Sequence, residues 1–110
     1  MPFSPKKIIR PPKTGAIYFV TDGSGYVKIG HTSGSVNDRI ASLQVANPRK
    51  LELIATLTSD DVREVERLVH IRFRERWHMG EWFQISRKEV LHCVRVCEHN
   101  KRRKTMERTA

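Results

Sequence analysis

Cysteine is scarce, acidic residues are outnumbered, and no long apolar run occurs anywhere in the 110-residue chain. Two cysteines in so basic a sequence do not make the disulfide framework of a small secreted domain. No stretch approaches the ~20 apolar residues of a membrane-spanning helix, and no apolar segment follows the early lysines as a secretory signal would. Internal repeats and internal linkers are missing too. The expectation is a soluble, intracellular chain with room for one domain and one modest core.

What the chain has instead is positive charge. Lys and Arg number 21 against 12 Asp and Glu, giving a formal charge of +9 and a pI near 10.2. Such a balance favours a polyanionic partner, with nucleic acid ahead of a membrane surface. Much of the charge lies at the two ends. Residues 1–14 hold Pro2, Pro5, Pro11 and Pro12 among Lys6, Lys7, Arg10 and Lys13. Proline lacks the amide donor and blocks helical periodicity, so this segment reads as an extended basic arm. At the other end, the run Lys101, Arg102, Arg103 and Lys104 has no apolar spacing, so residues 101–110 read as a frayed helix end or a disordered tail. Both ends are candidates for contact with a phosphate backbone, or solubilising termini. Residues 15–100 form the expected domain.

Within it, two β-rich runs, 15–20 and 26–30, flank Asp22-Gly23-Ser24-Gly25, whose glycines can supply the positive φ of a hairpin loop. Side chains alternate along strands, so Ile17, Phe19, Val27 and Ile29 share one face while Tyr18 and Lys28 share the other. Ser35 with Asp38 starts a helix carrying Val36, Ile40 and Leu43, ended by Asn47-Pro48. Residues 51–57 alternate as a strand buried mainly on one face. Asp61 with Glu64 opens a second helix with the stripe Val62, Val65, Val69 and Phe73, broken at Gly80. Residues 81–85 are a strand or an extended covering segment. Ser86 with Glu89 opens a last helix with Val90, Leu91, Val94 and Cys97 inward. This order predicts an α/β (α+β) domain, a small antiparallel or mixed three-stranded sheet flanked by helices.

Two charged side chains lie where the helical pattern is apolar. Glu66 stands at the margin of the stripe formed by Val62 and Phe73, where an unpaired charge is costly and a bound cation would compensate it. The alternatives are an ion pair with Arg63 or Arg67, or exposure at the stripe edge. Arg39 shares the helix side of Val36 and Leu43, or snorkels to the surface. His92, Cys93, Cys97 and His99 have ligand chemistry but not the spacing of a zinc finger or knuckle, so the two cysteines read as small buried apolar groups. His70 reads as a packed helix histidine at the rim of any site built on Glu66.

An ordered set of short motifs then stands out: Ala16-Ile17-Tyr18, Lys28-Ile29-Gly30-His31-Thr32, Arg39-Ile40-x-x-Leu43-Gln44, Asn47-Pro48, Glu66 with His70, and Gly80-Glu81-Trp82-Phe83. Together they resemble the GIY-YIG nuclease superfamily, particularly its phage-type branch, in which the second signature begins with Lys. The resemblance spans roughly residues 15 to 86, by the helix and strand signals above. It implies a compact α/β nuclease domain that hydrolyses DNA phosphodiesters with one divalent cation, Mg²⁺ or Mn²⁺, and without an organic cofactor. By position, Tyr18 would activate or orient the attacking water, with Lys28 in the place of the second signature's Tyr. Arg39 would hold the scissile phosphate, and Glu66 would ligate the cation. These roles suit a reaction that builds charge on phosphate oxygens. A tyrosine of pKa ~10 is a poor base at neutral pH, so Tyr18 needs Lys28 or the metal-bound water nearby to favour phenolate character.

The chain departs from the superfamily at three places. Ala16 stands in the first signature's Gly position, with Gly15 before it. Leu43 stands where many relatives carry His or Tyr, leaving His31 as the nearest substitute. The late Asn of other branches has no counterpart, and Glu81 or Gln84 are the candidates for its part. The competing functions are a catalytically silent DNA-binding module of the same fold and, behind it, an RNA-directed protein. Two copies of the chain would offer a route to double-strand breaks.

Overall fold

The hairpin loop closes as its residues dictate. Asp22 Oδ1 accepts from the Ser24 amide at 3.0 Å, Thr21 Oγ1 donates to the Tyr26 carbonyl at 2.8 Å, and Gly23 and Gly25 take φ of 82° and 94°. The loop joins β1 (Gly15–Thr21) to β2 (Val27–Thr32), and the chain continues through α1 (Val36–Val45), β3 (Glu52–Ser59), α2 (Val62–Arg72), a 3₁₀ turn (Arg74–Arg76), β4 (Trp77–Met79), β5 (Trp82–Phe83) and α3 (Arg87–Thr109). The computed structural model describes residues 11–109. Lys6, Lys7 and Arg10 of the basic arm therefore lie outside the described residues, as does the side chain of Lys104.

The sheet has five strands in the order β3-β1-β2-β5-β4, with every pairing antiparallel. The three-stranded expectation is corrected on this point. The missing pair is β4 and β5, three and two residues long, joined by a turn at Gly80 with φ 54°. So short a ribbon carries no readable alternation, and its pairing with β2 joins residues ~55 positions apart in sequence. Helix α2 correspondingly stops at Arg72 rather than at Gly80.

Alternation along the hairpin divides the interior in two. Ile17, Phe19, Val27 and Ile29 join Leu57, Val62, Val69, Phe73, Phe83, Val90 and Cys93 in the main core, against α2 and α3. Tyr18, Val20 and Leu51 form a smaller cluster on the other face, covered by Val36, Ile40 and Leu43 of α1 and by Trp82. The expected one-sided burial of residues 51–57 fails at one point. The pairing of β1 with β3 shifts register between Phe19 and Val20, so Phe19 faces Ala55 while Val20 faces Leu53. The extra residue, Ile54, flips the parity: Leu57 and Ala55 pack in the main core, Leu51 enters the smaller cluster, and Leu53 is exposed.

The helix starts differ in how they are capped. Ser35 Oγ accepts from the Asp38 amide at 3.2 Å. Ser86 and Glu89 exchange both bonds of a capping box, at 3.1 and 2.7 Å. Asp61 makes no such cap; its own amide donates to Ser59 Oγ at 3.0 Å, which turns the chain from β3 into α2. Gln44, part of the α1 motif, clamps the loop after that helix: its amide donates to the carbonyls of Asn47 and Arg49 and accepts from the Leu51 amide at 2.8 Å. Helix α3 runs on through Lys101, Arg102 and Arg103 to Thr109. Among the described residues no helix is long and apolar enough to cross a membrane.

Candidate active site

Tyr18 and Gly30 face each other across β1 and β2. That pairing generates the site. A Cβ at position 30 would collide with the Tyr18 hydroxyl, lie 2.6 Å from Tyr18 Cζ and 2.6 Å from Glu81 Oε2. Only a residue without a side chain leaves room for the phenol and the carboxylate to converge there. Glu81 is fixed at this place by its backbone, whose carbonyl accepts from the Ile29 amide at 2.9 Å.

Arg39 approaches from α1, where its guanidinium and the Tyr18 hydroxyl influence each other electrostatically. The cation beside the phenol is therefore Arg39 rather than the expected Lys28. Lys28 instead lies over the Trp82 ring, 5.7 Å from its centroid, on the same face of the sheet. Burial pushes the Tyr18 hydroxyl above its ordinary value, the Arg39 guanidinium opposes the shift, and the carboxylate of Glu81 reinforces it. At neutral pH Tyr18 keeps its proton.

Glu66 arrives from the middle of α2. Its flanking arginines are engaged elsewhere: Arg67 forks onto Glu64 at 2.7 and 3.1 Å, and Arg63 donates to the Pro11 carbonyl at 2.8 Å. The Arg63 or Arg67 ion pair that the sequence left open does not form. Glu66 meets histidines instead. His31 Nδ1 shares a hydrogen bond with Glu66 Oε2, and His70 Nε2 lies 3.6 Å from Oε1. The same His70 nitrogen donates to the Ile29 carbonyl at 2.9 Å, so it carries the proton and ties α2 to β2. Burial holds the His70 pKa below its usual value, against the pull of that bond.

The strongest electrostatic feature is a pair of acids. Burial, opposed by His31 and reinforced by the facing Glu81, pushes the Glu66 carboxyl up to about 7. Glu81 Oε2 is itself buried and has no hydrogen-bond partner. Ligand atoms of Glu66, His70 and Glu81 lie within 4.8 Å of one another. Cys93 and Cys97 belong to no such group among the described residues; the interaction of the two thiols lowers Cys97 to about 7 and raises Cys93, the latter fully inside the main core.

Of the other sequence candidates, Gln84 is exposed beyond β5. Lys13 is exposed and its carbonyl accepts from the Val62 amide at 2.8 Å, holding the arm at the start of α2. Lys101 Nζ donates to the Thr58 carbonyl and hydroxyl at 3.3 Å each, which ties α3 to β3; Arg102 and Arg103 are exposed. What sequence reasoning missed is the reason for the Gly in Lys28-Ile29-Gly30 and the facing of Glu81 with Glu66. The Gly80-Glu81-Trp82-Phe83 motif held a signal, an acid between a turn and an aromatic strand, but the register that aims it comes from β2.

No curated protein and no solved structure matches the chain. The profile of the T5orf172 domain, a phage-associated domain compatible with nuclease or DNA-binding activity, matches residues 15–98. The chain belongs to the T5orf172 domain family.

Proposed function

We propose that this protein is a divalent-cation-dependent DNA endonuclease of GIY-YIG type, with Tyr18, Arg39 and Glu66 as its working residues. The observation that carries the proposal is the convergence of phenol, guanidinium and carboxylate over Gly30. A catalytically idle fold has no need to bury a tyrosine against an arginine and two facing acids in place of an apolar contact.

The residues fit a hard divalent cation. An acid raised toward neutrality by burial and facing a second acid, whose buried Oε2 lacks a hydrogen bond, is the arrangement that an oxygen-seeking ion relieves. Glu66 would hold Mg²⁺ or Mn²⁺, which when bound supplies Lewis-acid stabilisation of charge on phosphate oxygens. Arg39 is exposed on α1 with its guanidinium at the phenol, so a phosphodiester placed over Gly30 receives N–H donors where charge develops. Tyr18, protonated and held in place by Arg39, orients the attacking water by hydrogen bonding and can exchange a proton with it. His31 and His70 position Glu66 from either side.

The alternative, a silent DNA-binding module, draws on His31 occupying Glu66 Oε2. Cleavage of supercoiled plasmid by purified protein separates the two. The expected result is nicking with Mg²⁺ or Mn²⁺, none with chelator, and a loss of about 10²–10³-fold in Arg39→Ala and Glu66→Ala at unchanged folding. Plasmid retained on the protein but left intact under every metal condition supports the silent module.

A further inference from the structure

We infer that Glu81 is a second carboxylate ligand of the cation, so that the protein holds a metal site before any nucleic acid arrives. The inference rests on the proposed cation-dependent reading of this site and deepens it.

Three observations point to Glu81. Its Oε2 is buried without a hydrogen-bond partner, although an ionised carboxylate has acceptor sites to fill and an orphaned one is costly. It faces Glu66, with ligand atoms of the two carboxylates within 4.8 Å of each other. Gly30 opens the floor beneath it: a side chain there would come within 2.6 Å of this same oxygen. Glu81 lies in the turn between β4 and β5, and its carbonyl is anchored to β2 by the Ile29 amide.

His70, the third ligand-type side chain within reach, is not part of the donor set. Its Nε2, the nitrogen turned toward Glu66, carries a proton committed to the Ile29 carbonyl. What remains is an oxygen-only pair with two negative charges, which suits Mg²⁺ or Mn²⁺ and disfavours softer metals. A lone carboxylate depends on substrate phosphate to complete its hold on the ion. Two facing carboxylates bind the ion without it.

The test is a titration of the full chain with Mn²⁺ in the absence of DNA, following free Mn²⁺ by electron paramagnetic resonance, for wild type, Glu66→Gln and Glu81→Gln. The expected result is one bound ion in the wild type and an affinity about tenfold or more weaker in each variant. Thermal unfolding without metal guards against misfolding. Removing one of two facing charges leaves metal-free Glu81→Gln at least as stable as wild type, whereas Mn²⁺ raises the melting temperature of wild type more than that of the variant. Wild-type affinity in Glu81→Gln, with affinity lost in Glu66→Gln, overturns the role of Glu81 and leaves the proposed function standing. Equal Mn²⁺ behaviour in all three proteins overturns both.

Discussion

The two faces of the sheet are built from the same strands and do opposite work. The face toward α2 and α3 holds Ile17, Phe19, Val27 and Ile29 in a continuous apolar core. The face toward α1 holds a thin cluster around Tyr18, Val20 and Leu51, and beside it stand Arg39, Lys28 and Glu81, while His31, paired with Ile17, and Glu66 of α2 reach the same place from the core side. Successive residues of β1 thus serve stability and chemistry in turn. A strand with one face committed to a deep core can carry strained electrostatics on the other, because the register is set by burial elsewhere.

The sharpest way to break this comparison is to change neighbours on β1. Phe19→Ala removes a fully buried ring and is expected to cost about 3–5 kcal/mol in denaturant unfolding. Tyr18→Phe keeps the ring and is expected to stay folded, while Mn²⁺-dependent plasmid cleavage falls by about 100-fold or more. If the two substitutions affect stability alike, the division of labour is wrong. Next in size is Gly30→Ala, whose methyl group meets the Tyr18 hydroxyl and Glu81 Oε2. Cleavage is expected to drop on the order of 10- to 100-fold, with a lower melting temperature.

Between those residues and the rest of the chain, legibility differed for physical reasons. The hairpin and its two faces, the α1 start at Ser35 and the α3 start at Ser86 follow from local rules, and the structure forms them as read. Asp61 makes no side-chain cap, its amide donating to Ser59 Oγ instead of joining a capping box, and the bulge at Ile54 reversed the parity of β3. Both are contests between near-equal local options that sequence pattern does not rank. Tyr18, Lys28, Arg39 and Glu66 could be named from chain position and motif. Their partners could not: Arg39 on Tyr18, His31 on Glu66 and Glu81 over Gly30 depend on how α1, α2 and β5 dock on the hairpin.

The partly buried Glu66 also makes stability depend on pH. The folded Glu66 carboxyl, at about 7, lies above its ordinary 4.5, so folding favours the protonated form. Its contribution is fully present below pH 4.5 and is lost as pH rises through about 7. At roughly 1.4 kcal/mol per pKa unit, the loss in metal-free protein is on the order of 3 kcal/mol at most. Glu66→Gln is expected to flatten this profile, measured by denaturant unfolding from pH 4.5 to 8 in the presence of chelator. A rise in stability across that window contradicts the assignment.

The smallest expected effect concerns the far end of α3. Lys101 is tied to Thr58, whereas Arg102 is exposed on the same helix. Arg102→Gln is expected to reduce the log-log salt slope of DNA binding by about 0.9, and Lys101→Gln by less. Equal slopes for both variants and wild type place this end of the helix away from the phosphates.

The most direct test of the centre itself is anomalous diffraction from crystals grown with Mn²⁺. The expected result is a peak beside Glu66 and Glu81 above Gly30, with the Tyr18 hydroxyl and the Arg39 guanidinium facing it. A peak held by other side chains, or a fully occupied Mn²⁺ elsewhere with the Glu66–His31 pair intact, contradicts it.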